Sequence, residues 1–449
     1  MGVPLTVGNS IGTILIISLV VIGVGESLPL IAKEPTIEQL KSALKSPKAS
    51  SRRSAAKALG RTFSSQATQP LLLAAVDSDV KVRREVIKAL GLLKDRNAIT
   101  VLLTALKDSD SSVRKEAIVA LVNLYTQKEA SFFLSKQAQR IYQKINPFSD
   151  SVQRDSTIIE LDVLVSPSVI DSIAERLSDS NKSVRLYAAS SLGILRGRSG
   201  IPQMVKAMKT GSSRLRVEIL RSFYKIRDHS IDEDLLVYLF DPNKAVRNEA
   251  ILTVGLFKSQ KALPKLESIY NRNSKNELQK KALEAISLIG DVRSLELFRG
   301  NLIHKDSKYR QYAGEGIARI ALVDNSSVED VSRAFLSEKN TETRLAFSFA
   351  LFRLGRPEYL DRIVSSLNER SHVDQAEVYL IELGSYAAPL VVKYLANNDS
   401  RIRQRICRVL GLIGDKASIE SLNSLLHDGN ADVVSEAALA IRRINAKSN

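Results

Sequence analysis

Arginine recurs through this sequence at an almost fixed interval. Arg52, Arg83, Arg114, Arg154, Arg185, Arg216 and Arg247 share a column with Gln279, Arg310, Arg344, Gln375, Arg403 and Val434, and most steps are 31 residues. Six residues before it stands aspartate, at Asp77, Asp108, Asp179, Asp241 and Asp428, with Asn273 and Asn397 as isosteres. Two columns of opposite charge look at first like a binding motif. A fixed period of 20–50 residues, however, is the signature of a stacked-repeat solenoid, and it outranks any residue-level pattern.

Other residues that could do chemistry are scattered. Metal and acid–base sites need clustered ligands, and the four histidines, His229, His304, His372 and His427, lie far apart. No P-loop, no GxGxxG after a strand and no GxSxG occurs. The one cysteine, Cys407, forbids an intrachain disulfide and falls in an apolar column, where a buried structural thiol is expected. The residues therefore predict no enzyme, no cofactor and no metal, and they disfavour a small-molecule ligand. A basic stripe is the better binding candidate. Arg53 and Lys57, then Arg84 and Lys88, are four apart and so share a helix face. Lys115 extends the row, and Glu85 and Glu116 on a neighbouring face partly neutralise it. Such a stripe could meet anionic lipid. Nucleic acid is disfavoured, because no row of stacking aromatics interleaves the bases.

The elements that position these residues follow from periodicity. In the unit Ala98 to Leu124, Val101, Leu102, Ala105 and Leu106 form one helix face. The turn DSDSS interrupts, and Val113, Ala117, Leu121 and Leu124 form a second. Asp and Ser suit the turn and the N-cap because their side chains accept from unpaired N–H groups. Apolar columns recur three and seven residues after the arginine, broken at Glu382, where adjacent Ile381 points to a slip of register. Gly60, Gly91, Gly193, Gly255 and Gly411 end the second helix in this reading, as left-handed C-caps. The expected fold is an all-α solenoid, a superhelix of about thirteen helical hairpins. With 44% apolar residues, 5% aromatic and no Trp, its core is aliphatic.

The segments DSDVKVRREVIKALGLLKD, DSDSSVRKEAIVAL, DSNKSVRLYAASSLGILRG and DPNKAVRNEAILTVG resemble the HEAT-repeat family, in its short bacterial phycobilisome-lyase-type form. The resemblance implies that Asp77, Arg83, Asp108, Arg114, Asp179, Arg185, Asp241 and Arg247 form a structural ladder between repeats. It says little about function, since such arrays serve unrelated roles. Related di-iron hydroxylases carry repeated His-Glu pairs, and related glycosylases use Trp; both features are missing here.

Residues 1–25 hold no charged side chain and form a hydrophobic leader, 26–37 a linker and 38–449 the repeats, with an insertion near 127–150. The leader is long enough to span a bilayer and also resembles a signal peptide. Lys33, Lys41 and Lys45 follow it, which places the repeats on the cytoplasmic side of a membrane anchor; the alternative is export after cleavage. The insertion carries Phe132, Phe133, Tyr142 and Phe148. Net charge is +16. The function these features predict is a non-enzymatic scaffold or adaptor, membrane-tethered, that binds a protein partner along its concave face. Two alternatives are an accessory subunit of an enzyme, such as a bilin-lyase-like protein, and an electrostatic binder of anionic membrane or nucleic acid.

Overall fold

The computed structural model describes residues 35–126, 164–272 and 277–447. The leader, Arg154 and the expected insertion with its aromatic cluster lie outside them. Among the described residues twelve antiparallel helical hairpins stack in sequence, each second helix packing on the next. The second helices are α1 (Ala49–Arg61), α2 (Val80–Leu93), α3 (Ser111–Tyr125), α4 (Lys182–Ile194), α5 (Ser213–Ile226) and α6 (Lys244–Leu256). They continue as α7 (Glu277–Ile289), α8 (Ser307–Ile320), α9 (Thr341–Arg353), α10 (Val373–Glu382), α11 (Ser400–Ile413) and α12 (Ala431–Lys447). Among the described residues no single helix is long and apolar enough to cross a bilayer.

The turn between the two helices of a hairpin is built from side chains. Asp79 ends the turn of the second hairpin as N-cap of α2, its carboxylate accepting from Lys81 N and Val82 N. Asp110, Asn181, Asn243 and Asp399 cap α3, α4, α6 and α11 in the same way. Caps of this kind stabilise a helix by about 1 kcal/mol each.

The column arginines face these turns. Arg83 donates through Nε and Nη2 to both oxygens of Asp108, at 2.7 and 3.0 Å, and through Nη1 to the carbonyls of Asp77 and Ser78. It thus ties its own turn to the next one. Arg52–Asp77, Arg114–Asp179 and Arg403–Asp428 repeat the fork, and Arg216 reaches Asp241 at 3.2 Å. In the turn before α9, Glu338 takes the carboxylate's place and accepts from Arg310 at 2.6 and 2.8 Å. Among the described residues Arg185 donates only to the carbonyls of Asp179 and Ser180, because Thr210 occupies the next carboxylate position. Arg247 donates to Asp241 O and has no carboxylate partner among the described residues.

Three expectations are corrected. First, the column places Arg154 after Arg114, at a step of 40 residues, but the next rung after Arg114 is Asp179. Arg114 bonds directly to Asp179, and Asn181 Nδ2 donates to Ser111 Oγ at 3.1 Å, so α3 packs on α4 with no described unit between them. Second, the recurrent glycines are not C-caps. Each lies within its helix, and for four of the five the left-handed residue comes three positions later, at Phe63, Lys94, Arg196 and Lys258, while the helix of Gly411 ends at Gly414 in an extended conformation. A Cβ on Gly91 would stand 2.7 Å from Cα and Cβ of Ala120, so the glycine permits close approach of α2 and α3. Gly60 meets Ala89, and Gly193 meets Ser222, at comparable distances. Third, the slip at Glu382 runs toward Leu383, not Ile381. Ala376, Tyr379, Leu380 and Leu383 are buried, matching Arg83, Val86, Ile87 and Leu90 in register, so α10 is displaced by one residue.

Two experiments probe this packing. Gly91→Ala gains about 1 kcal/mol of helix propensity but forces an overpacked contact that costs about 1–3 kcal/mol. We expect a lower Tm in thermal unfolding; a raised Tm refutes the close-approach role. Arg83→Met and Asp108→Asn should show a coupling energy of about 1–2 kcal/mol in a double-mutant cycle, whereas additive effects would mean the fork contributes nothing.

Candidate functional site

The face formed by the second helices carries most of the charge that sequence spacing singled out. On α1 and α2, Arg53, Lys57 and Lys88 are exposed and Arg84 is half-buried. Glu85 lies inside the stripe rather than beside it: it is buried, 3.8 Å from Arg53 Nε. Burial pushes the Glu116 carboxyl above its ordinary range, against the pull of Lys88, Lys115 and Arg84. Lys115 stands over the ring of Tyr187 on α4, 5.3 Å from its centroid, and so is spent on a packing contact. Lys115 thus stays beside Lys88 and Arg84 around Glu116 while also packing on Tyr187.

Farther along, this face closes. Helices α8 and α9 are buried almost all round, with Tyr312, Glu315, Phe347 and Phe349 inaccessible. Helices α8 and α10 touch across α9. Tyr379 of α10 stacks on Phe349, centroids 4.3 Å apart, and donates its hydroxyl to Glu315 Oε1 of α8 at 2.5 Å. Gln311 donates to the same oxygen at 3.0 Å. Arg319, one turn after Glu315, forks onto both oxygens of Glu382 at 2.7 and 2.9 Å and donates to Ser287 O of α7. Its Nη1 lies 3.7 Å from Glu315 Oε2, which accepts no hydrogen bond.

The electrostatics follow from counting charges. One buried guanidinium faces two carboxylates. The Arg319 fork and charge hold Glu382 ionised and, against the opposing effect of burial, its carboxyl lies below the ordinary range. Burial raises Glu315 to about 7, only partly offset by Arg319, Tyr379 and Gln311. An isolated buried carboxylate costs several kcal/mol, so a proton on Glu315 neutralises the cluster. A second buried carboxylate, Glu377, accepts from Arg405 at 2.8 Å and lies 3.6 Å from Arg408. Burial raises Glu377 as well.

Sequence reasoning missed this clamp, although Glu382 had marked itself by breaking an apolar column. Glu315 occupies a position filled in other units by Lys88 or Val119, so no column announced it. The histidines remain separate: His372 pairs with Glu369 at 2.6 Å, and His229 lies 3.5 Å from Asp232. Among the described residues no three His, Cys, Asp or Glu side chains are placed to hold a metal ion together. Cys407 is buried, and burial pushes its thiol up to about 12.

A sequence profile described as HEAT repeats matches residues 68–139, 233–318 and 379–442. These segments of the chain are HEAT repeats. No curated protein matches it. The HEAT array is similar to a chain in the complex of Kap95p with RanGDP, at 12% identity and TM-score 0.48, over 92% of this chain and 61% of that one. It is similar to an engineered protein at 18% identity and TM-score 0.35, over 91% and 98% of the two chains. A third likeness is to a chain of the CpcE–CpcF complex of phycocyanin lyase from Nostoc sp. PCC7120, at 16% identity and TM-score 0.27, over 74% and 99%. All are likenesses of fold.

The clamp makes a pH prediction. Folded Glu315 holds its proton to about pH 7, whereas an unfolded glutamate releases it near 4.3. Its contribution to stability is complete below pH 4 and is lost as pH rises to about 7. Glu315→Gln keeps an acceptor for Tyr379 and removes the titration. The Tm of the wild type should fall more between pH 5 and 8 than that of the variant; parallel pH profiles would show that Glu315 does not titrate in this range.

Proposed function

We propose that the protein is a non-enzymatic scaffold, tethered to a membrane through residues 1–25, that holds an acidic protein partner on the second-helix face of its first two hairpins. HEAT arrays in general mediate protein–protein interaction. One observation carries the choice of face: Arg53, Lys57 and Lys88 are exposed on α1 and α2, and Lys57 and Lys88 have no ion-pair partner among the described residues. At α8 to α10 the same face is filled by the Glu315–Arg319–Glu382 clamp, so the open part of the concave side lies toward the first hairpins. Cations at a rim chiefly steer association and set its salt dependence. Tethering rests on the uncharged run of residues 1–25, and three lysines soon after it favour the cytoplasmic side.

The test is residue-specific crosslinking in native membranes from a position beside the stripe. The variant Arg53→Glu, Lys57→Glu, Arg84→Glu and Lys88→Glu should lose its crosslinked protein partner by tenfold or more, with Tm within a few degrees of wild type. Recovery of the same partner at wild-type yield would overturn the assignment of this face.

A further inference from the structure

The turn edge of the array, where each first helix ends and the second begins, carries a row not used by either feature described above. Over the first eight described hairpins the residue before each ladder position is exposed and, with one interruption, alternates between basic and large apolar. Lys45, Val76 and Lys107 are followed, after the gap of residues 127–163, by Lys209, Phe240, Arg272 and Ile303. Val76 is 83% exposed and Ile303 is 86% exposed, which no packing role explains. Ser178 is the one interruption of the alternation. Val76 and Phe240 are each joined by an exposed apolar residue one turn earlier, Leu73 and Val237. Val237 and Phe240 border an open groove of about 680 Å³ shared with Lys209, Val205 and Met208.

A second basic row runs beside the first. Lys81, Lys182, Arg214 and Lys244 occupy the first or second position of α2, α4, α5 and α6, and those helices carry no acidic residue in the first turn. The partial positive charge of a helix N-terminus disfavours cations there by a few tenths of a kcal/mol each. Local preference is thus broken four times in one direction, on one edge. The aspartates of the same turns are consumed by the arginine forks and the N-caps, so they do not neutralise the row. None of Lys45, Lys81, Lys107, Lys182, Lys209 and Lys244 makes a side-chain ion pair among the described residues. At the far end of this row and beyond it the equivalent cations are occupied: in the eighth hairpin Lys308 bonds to Glu342, and in the eleventh Arg401 bonds to Asp399.

We propose that the turn edge of the first eight described hairpins docks on an anionic lipid surface, with Val76, Phe240 and Ile303 entering the headgroup layer and the intervening lysines meeting lipid phosphates. Three features favour lipid over the other polyanions. The row presents aliphatic side chains to solvent, which suits the boundary between headgroups and acyl chains. It offers no stacking aromatics for bases. Headgroups form a continuous sheet, so cations at any spacing along an edge find phosphate. The edge begins at Lys45, a short distance after the uncharged run of residues 1–25. The proposal does not depend on the protein-partner face, which uses different residues.

The experiment places a polarity-sensitive fluorophore on the full chain through one added cysteine, Val76→Cys or Ile303→Cys. Cys407 is buried and takes no label. The control site is Leu322→Cys, exposed in the loop after α8 on the opposite edge. With vesicles containing phosphatidylglycerol, labels at positions 76 and 303 should shift to the blue and be quenched by spin-labelled lipid, and the label at 322 should do neither. Vesicles of phosphatidylcholine alone should give a weaker response even where residues 1–25 insert, since the label reads the edge and not the leader. Each basic residue near such a surface contributes roughly fivefold in affinity. Lys107→Glu, Lys209→Glu and Lys244→Glu together should therefore raise the half-maximal anionic lipid fraction or abolish the shift, an effect on the order of 100-fold in lipid concentration. An equal response from phosphatidylcholine, an equal response at position 322, or a response to single-stranded nucleic acid in place of vesicles overturns the proposal. Loss of crosslinked partner in the Arg53 and Lys57 variant with an intact lipid response would separate the two faces.

Discussion

The stack rests on a guanidinium that closes two turns at once. Arg83 satisfies the carbonyls of its own turn with one nitrogen and holds the carboxylate of the next turn with the other two. That carboxylate also accepts from the N–H of Asp110, which fixes the turn before α3. Each fork therefore sets the shape of one turn and the position of the next helix. Most of the stabilisation still comes from apolar burial, since a partly exposed ion pair contributes modestly. What the fork supplies is register: a bidentate pair tolerates little sliding. Where Thr210 removes the carboxylate after Arg185, close packing takes over. Ser222 reaches Ala189 O at 2.8 Å, and Gly193 lies against Ser222.

Much of this is legible in sequence because one solution is repeated. A period near 31 gives the hairpin, its turn and the face of each helix without any knowledge of long-range contacts. Glu338 shows the limit of reading by residue type. It performs the aspartate's task with one more methylene, and a column of Asp alone passes over it. The glycines show a different limit. Gly near a helix end fits a left-handed cap and a close approach equally well, and only the position of Ala120 decides between them. The direct pairing of Arg114 with Asp179 could not be read from spacing either, since the column offers Arg154, 40 residues on, as the next member.

The least legible feature is the one that departs from nearest-neighbour packing. In a repeat array each unit ordinarily touches only those beside it, and stability is close to a sum over units and their interfaces. Arg319 and Glu382 are 63 residues apart, and they meet because the superhelix brings α10 back against α8. No single-unit pattern encodes that curvature. The local signs are instead departures from pattern: Glu382 in an apolar column, and α9 with apolar residues buried on nearly every side.

Those departures change how this part of the array can behave. Helix α9 is enclosed by α8 and α10, so opening it requires breaking the bonds from Tyr379 to Glu315 and from Arg319 to Glu382 together. Removing one partner of a buried charge pair costs more than the pair contributes, because the other is left uncompensated. The cluster avoids that cost with one proton: two carboxylates share one guanidinium, and Glu315, the one without the fork, is the one raised to about 7. Hairpins carrying α8, α9 and α10 should accordingly act as one cooperative block within an otherwise one-dimensional stack. Curvature is then fixed over this block, while the first hairpins, held only by neighbour contacts and turn forks, keep an open charged face.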